Sequence, residues 1–276
     1  MRVKRRLSLI SIIYTMVTYL VGILFVFPVL WTVITGFKTE SQAYSSSPLL
    51  WFEPTLHQFI LALNGGFWGY FSNSLVASTV STCLALILGI PCAYAMVFYM
   101  RRKQSKNLLF FVLSTRFMPF AAIIVPLYVI FKDLNLLNNI ISLIVVYTSM
   151  NLPLVIWMSR SYFMDLPIEV LEASFLDGCS KWGTLLKVAI PMSSSGLTAT
   201  ALLSMVFAWN DFFFAVNLTF TNSSTLPIMV SSFMTNEQLF IAKVSALATL
   251  IIIIPVILGL YAQKHLVRGL TAGAIK

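Results

Sequence analysis

Seven residues stand inside otherwise apolar stretches of the chain: Arg116, Tyr128, Tyr147, Asn151, Trp209, Asn210 and Asp211. Tyrosine, asparagine and tryptophan offer hydrogen bonds together with flat apolar faces, a combination that can grip a polar solute. The same groups also join helix to helix inside a membrane. Arg116 and Asp211 carry opposite charges. An arginine at the bilayer centre costs about 2.5–3.5 kcal/mol on insertion scales, so such groups face the bundle interior or water. Pairing within the bundle or across a subunit interface, a gate contact and a solute contact are all open to these two residues.

Covalent and metal chemistry find little footing. Cys83, Cys92 and Cys179 have no CxxC spacing, and His57 and His265 are far apart, which argues against a zinc or haem site. Cys83 and Cys92 would lie two and a half turns apart on one helix, too far for a disulfide. No glycine is followed directly by lysine, so a GxxxxGK[ST] phosphate loop is absent, and neither HExxH nor GxSxG occurs. An intramembrane enzyme would need clustered His, Asp or Cys within its spans, and no such cluster is seen.

The elements that position these residues follow from composition. Of 276 residues, 59% are hydrophobic and 10% charged, against roughly 45–50% and ~25% in soluble globular chains. Phe occurs 22 times, and the mean hydropathy is +0.90. A soluble domain, a disordered chain, a disulfide scaffold and a free nucleic-acid-binding domain are thereby excluded. Crossing ~30 Å of hydrocarbon takes about 20 apolar residues, and six such runs can be read. The first lies within Leu7–Phe37, and the others are Phe71–Met100, Leu108–Phe131, Ile140–Met158, Gly196–Phe220 and Ala242–Tyr261. They are too long, and too little alternating, for barrel strands. The expected fold is an all-α polytopic membrane protein, a single transmembrane domain over residues 1–276. Pro28, Pro91, Pro119, Pro126 and Pro255 fall inside the runs and predict kinks.

The basic residues orient the spans. With the N-terminus in the cytoplasm, the inner segments collect Arg2, Lys4, Arg5, Arg6, Arg101, Arg102, Lys103, Lys106, Arg160, Lys181, Lys187, Lys264, Arg268 and Lys276. Lys38, Lys132 and Lys243 fall outside, and Arg116 lies within a span. Both termini are therefore expected inside, and the formal charge of +9 is mainly a topology signal. No nucleic-acid partner is needed to explain it. The apolar stretch after Met1–Arg6 is too long for a signal-peptide core, so an uncleaved first span is expected.

Two loops stand out. Residues 38–70 form an external segment in which Thr55 could cap a short helix, Leu56–Leu63, that ends at Gly65-Gly66. It reads as a connector on the outer surface or as a docking surface for an external partner. Residues 159–195 form a cytoplasmic loop that holds Asp165, Glu169, Glu172 and Asp177, four of the nine acids in the chain. Pro167 and the early acids suit a helix start, and Gly178 supplies a stop. Ser180 can cap a second helix, Lys181–Val188, which ends at Pro191.

Glu172-Ala173-Ser174, three residues, Gly178, nine residues, then Val188-Ala189-Ile190-Pro191 resembles the EAA loop of binding-protein-dependent ABC importers. Ser174 replaces the usual second alanine, and Cys179 replaces a small alanine. Tyr70–Leu75, Ala208–Phe212 and the tail Val267–Lys276 resemble the shorter, MalG-like permeases of carbohydrate importers. The resemblance covers essentially the whole chain. It implies a type I permease fold whose coupling residues Glu169, Glu172, Ala173, Ser174, Asp177 and Gly178 meet an ATPase. Glu172 would face that ATPase, Ala173 would pack in its groove, and Gly178 would turn the chain back.

The tail, residues 262–276, would add an ATPase contact through Leu270, Thr271, Ala272 and Gly273. Implied partners are a second permease subunit, two ABC ATPase subunits, an external solute-binding protein and the lipid bilayer of a bacterial or archaeal inner membrane. The chain itself would bind no cofactor, with ATP and Mg held by the ATPases. A sugar or related polyol is the implied solute. An ion-coupled secondary transporter is the alternative; it would be expected to show internal repeats and several midplane acids, whereas only Asp211 is available.

Overall fold

A computed structural model describes residues 9–45, 50–234 and 240–272, with side chains over 11–261 of these. Among the described residues the regular elements are helical, with no β-strand. In chain order they are α1 Leu9–Gly36, α2 Glu40–Ala43, α3 His57–Ala62, α4 Trp68–Phe98, α5 Arg102–Ser114, α6 Phe120–Asp133 and α7 Ile140–Met164. There follow α8 Ile168–Leu176, α9 Lys181–Thr184, α10 Ile190–Met192, α11 Ser194–Trp209, α12 Phe213–Leu218, α13 Leu226–Ser232 and α14 Ile241–Ala272. The described residues divide into two compact units, one from residues up to 66 with 230–252, the other from residues 67–229 with 253 onward.

Among the described residues, four continuous helical stretches are long and apolar enough to span a membrane, and two bent pairs raise the number to as many as six. Two breaks, one of them a bend, correct sequence expectations. The third run is not one rod: α5 and α6 meet at 90°, because Pro119 lacks an N–H and holds an extended backbone (φ −65°, ψ 128°) just before α6. Pro119 thus marks a break, whereas Pro28, Pro91, Pro126, Pro153 and Pro255 sit inside helices. The fifth run stops as an α-helix at Trp209 and restarts at Phe213. Its α11 is bent 84° from the preceding 181–192 segment. The last helix runs on to Ala272, beyond the expected end at Tyr261.

The second unit is built on α4, α7 and α11, each packed on the other two. The buried stripe of α4 contains Ser74, Ala77, Ser78, Ser81, Thr82, Ala85, Gly89 and Ala93. Small residues at helical spacing let backbones approach closely, which lipid-solvated helices need because hydrophobic burial gives little drive between them. Ser78 and Thr200 return their hydroxyls to the carbonyls of Ser74 (2.7 Å) and Gly196 (2.9 Å), so burial leaves neither donor idle. Larger groups from α7, including Leu143, Tyr147 and Val155, fill the facing layer.

Polar stitches close one end of this unit. Asn73 Nδ2 donates to the carbonyls of Asn222 (2.9 Å) and Ser224 (3.0 Å), and Ser74 Oγ accepts from Leu226 N–H (2.8 Å). Asn138, at φ +54°, accepts from the N–H groups of Phe220 and Thr221 at 3.0 and 3.2 Å through Oδ1. Its own N–H donates to the carbonyl of Leu218.

In the first unit, Thr39 and Gln42 form a capping box around α2. Glu40 accepts from Ala242 N–H (3.0 Å) and Lys243 N–H (2.9 Å) at the start of α14, where a negative charge suits the helix dipole. Buried Lys38 lies over the rings of Trp31 (4.6 Å) and Phe52 (5.2 Å). Thr55 accepts from His57 N–H, although α3 starts after Leu56 rather than Thr55. Gly66 supplies the left-handed residue (φ +87°) at the expected glycine pair.

Tight packing makes the α4–α7 contact testable. A Cβ on Gly89 would sit 2.6 Å from Val155 Cγ1, whereas a Cβ on Gly22 would meet nothing within 4 Å. Gly89→Val is expected to destabilise the purified protein by about 1–3 kcal/mol, seen as a lower melting temperature in detergent. Gly22→Val is expected to leave it unchanged.

Candidate functional site: the cytoplasmic hairpin and the broken helices

The hairpin 168–192 is assembled from local rules. Pro167 precedes α8, and Glu169 lies in its first turn, where fixed φ and negative charge both favour initiation. At the far end Gly178 takes φ +83°. Its N–H donates to Phe175 O (3.0 Å) while Cys179 N–H donates to Ser174 O (3.0 Å), which is the Schellman arrangement. Ser180 Oγ then accepts from Gly183 N–H (3.1 Å) and starts α9. The expected second helix, Lys181–Val188, is observed as α9, a π-helical stretch over Leu185–Ala189 and α10.

One side of the hairpin is buried. Leu171, Leu185 and Ala189 join Phe163, Ala93 and Tyr94 in a cluster that binds the hairpin to the ends of α4 and α7. Ser174 Oγ and Thr184 Oγ1 meet at 2.9 Å, and Ser174 also donates to Leu171 O (2.7 Å). Within the coupling set, Ser174 is therefore buried inside the hairpin, whereas Glu169, Glu172, Ala173, Asp177 and Gly178 are exposed. Phe175 and Leu176 are exposed beside them, Leu176 at 89%. Thr184, absent from the sequence-derived set, fastens the two arms. Its signal was only a hydroxyl ten residues from another. In the tail, Leu270, Thr271 and Ala272 belong to α14, and Gly273 lies outside the described residues.

The seven residues in apolar stretches separate into distinct settings. Tyr147, Asn151 and Trp209 are buried at 1–2% exposure. Asn151 Nδ2 donates to Ser204 O (3.1 Å) and so ties α7 to α11. Trp209 packs edge-on to Phe71, with ring centroids 6.1 Å apart, and its indole N–H has no partner; the Tyr147 hydroxyl lies against the Asp211 carboxylate. Asn210 is exposed and returns its amide to Val206 O (2.9 Å). Tyr128 lies partly exposed on α6.

Asp211 and Arg116 form no ion pair. Asp211 Oδ2 accepts from Phe214 N–H (3.1 Å) and Ala215 N–H (3.2 Å), so the carboxylate caps the restart of the helix at α12 and meets its dipole there. Arg116 sits in the 3₁₀ turn Thr115–Phe117 between α5 and α6. Its guanidinium lies 5.5 Å from the Phe207 ring centroid and borders a cavity of about 240 Å³ lined by α6 and α7. Most of that lining is apolar; Thr115, Arg116 and Ser149 are its polar members.

This architecture, a bundle of helices bearing a buttressed hairpin, can be compared with known proteins. The chain belongs to the family of binding-protein-dependent transport system inner membrane components, whose model matches residues 85–271. It is 34% identical to the probable ABC transporter permease protein y4oR of Sinorhizobium fredii, over 96% of each chain. It is 32% identical to the sulfoquinovosyl glycerol transport system permease protein SmoH of Agrobacterium fabrum, over 91% of this chain and 88% of that one. A bacterial ABC transporter involved in import of the acidic polysaccharide alginate shares the fold at a TM-score of 0.73 and 20% identity, covering 96% of this chain and 99% of that one. The fold is the type I permease fold, and the protein is a multi-pass inner-membrane transport subunit rather than the ATPase. Family membership implies an ATPase and a solute-binding protein as partners.

The hairpin's stiffness depends on its buried hydroxyl pair. Ser174→Val leaves the Thr184 hydroxyl unpaired, at a cost of about 1–3 kcal/mol. Amide hydrogen exchange over residues 168–192 is expected to quicken by roughly five-fold to 150-fold, while the α4–α7 core keeps its protection.

Proposed function

We propose that this chain is a permease subunit through which a sugar or related polyol, handed over by an external solute-binding protein, crosses the inner membrane. Two separate ATPase subunits hold ATP and Mg and supply the work, and a second, different permease completes the path. The reading is carried by the two-faced hairpin. Its back is anchored to α4 and α7 through Leu171, Leu185 and Phe163, and its front leaves Glu169, Glu172, Ala173, Asp177 and Gly178 uncovered. A stiff helix with acidic and small side chains outward suits a groove on a partner: the acids pair with basic groups and the alanine permits close approach.

Coupling follows from that anchoring. When the ATPases close, a push on α8 is passed to the ends of α4 and α7, because interdigitated side chains transmit displacement rather than absorb it. The permeases then alternate between inward- and outward-open forms as rigid bodies. Leu270, Thr271, Ala272 and Gly273 would add a second ATPase contact. The carbohydrate class is supported by the sulfoquinovosyl glycerol permease and the alginate importer named above. Tyr128, Tyr147, Asn151, Trp209 and Asn210 have the amide, hydroxyl and aromatic groups that sugars require, and the unpartnered Trp209 N–H is the strongest candidate.

The test is ATP hydrolysis by the co-purified importer with its binding protein, screened across sugars and polyols. Glu172→Lys and Gly178→Pro are expected to reduce solute-stimulated hydrolysis to the unstimulated level while the chain still inserts. Normal stimulation in both variants would remove the coupling assignment. Uptake by proteoliposomes that lack the ATPases would remove the ATP-driven reading itself.

A further inference from the structure

Arg116 occupies a depth at which an uncovered charge is costly. Ser105, eleven residues earlier, accepts from Arg160 Nε at 3.4 Å near the cytoplasmic end of α7. Along α5 that spacing is about 16 Å at ~1.5 Å per residue. The cavity beside Arg116 is lined from α7 by Val146, Ser149, Met150 and Pro153, and these bracket the middle of that 25-residue helix. Arg116 is therefore near the membrane midplane, and it is exposed on this chain, as are Phe117 (85%) and Met118 (53%). It makes no ion pair with Asp211, whose carboxylate is committed to α12. Phe207 gives it one aromatic face.

A midplane arginine needs more than one ring face, since lipid offers its five donors nothing. The neighbouring surface decides what covers it. A wet solute path is lined by polar groups, whereas this cavity is bounded mainly by Phe120, Ile123, Leu127, Phe131 and Met150. Such a trough suits the apolar ridge of a helix, with one acceptor placed opposite the guanidinium. We propose that this groove seats a membrane helix of the second permease subunit, and that the helix brings a carboxylate to Arg116. The inference rests on the two-permease reading given above and adds the contact that sets the register between the subunits. In hydrocarbon a single charge pair fixes register well, because every other alignment leaves both charges without a partner.

The experiment uses the complete co-expressed importer, with a photoreactive benzophenone amino acid in place of Met118. Illumination is expected to give an adduct of this chain with a second, different permease, and peptide mapping should place it on a segment bearing Asp or Glu. Arg116→Asp should lower the second permease recovered with this chain at least five-fold. Changing the mapped acid to Arg in that background should restore recovery, and Arg116→Lys should retain most of it. Because the adduct forms with Arg116 intact, it decides the groove's occupant even where Arg116→Asp prevents folding. Adducts confined to lipid, the binding protein, an ATPase or another copy of this chain would overturn the groove assignment. An adduct without an acid nearby, or failure of the charge exchange in variants that insert normally, would overturn the pairing. If the wild-type complex contains no second, different permease, the two-permease reading falls first.

Discussion

In hydrocarbon no water accepts or donates a hydrogen bond, so each backbone polar group must be satisfied by the protein. This constraint governs the structure at every scale. It makes the spans helical, and it leaves association to close backbone approach rather than hydrophobic burial. The small-residue stripe of α4, from Ser74 to Ala93, answers that need. The hydroxyls of Ser78 and Ser81 fold back onto carbonyls of their own helix, so the stripe stays narrow; only the Thr82 hydroxyl among its members is buried without a partner. Where the chain departs from helix, side chains replace the lost bonds: Asn138 serves the turn after α12, and Asp211 serves the turn before it.

Much of the architecture could be read in the sequence because hydropathy and basic-residue placement register the bilayer directly. The hairpin was equally legible. Pro167, Gly178 and Ser180 each have a strong backbone preference, and each sits where that preference is used. The breaks were not legible from hydropathy. Phe117–Phe120 is as apolar as the helices around it, and Asn210-Asp211 is too short a polar pair to interrupt a twenty-residue average, so a sliding window runs through both. Pro119 read as a kink within a span, yet it separates two helices at 90°.

The site was harder to read than the fold. Glu172, Ala173 and Ser174 are adjacent in sequence, and only packing shows that the third turns inward to Thr184 while the first two are exposed. For Arg116 and Asp211, opposite charges in apolar sequence, pairing was one of several open readings. Periodicity says little about which backbone donors a carboxylate will meet, and Asp211 meets those of its own next helix. Asn73 and Ser74 entered as part of a resemblance. Their hydrogen bonds to the 222–226 segment supply the physical reason for them.

The interruption between α11 and α12 has a kinetic meaning. Bending an intact helix requires breaking backbone hydrogen bonds where no water can replace them, which raises the activation barrier. Here the rupture is already made, and Asp211 holds the freed N–H groups of Phe214 and Ala215. A change of angle at Asn210–Phe212 is then a matter of torsion about a few bonds, with nearly the same hydrogen bonds before and after. The membrane-embedded chain thus contains a pivot whose motion is slowed by packing rather than by exposed polar backbone.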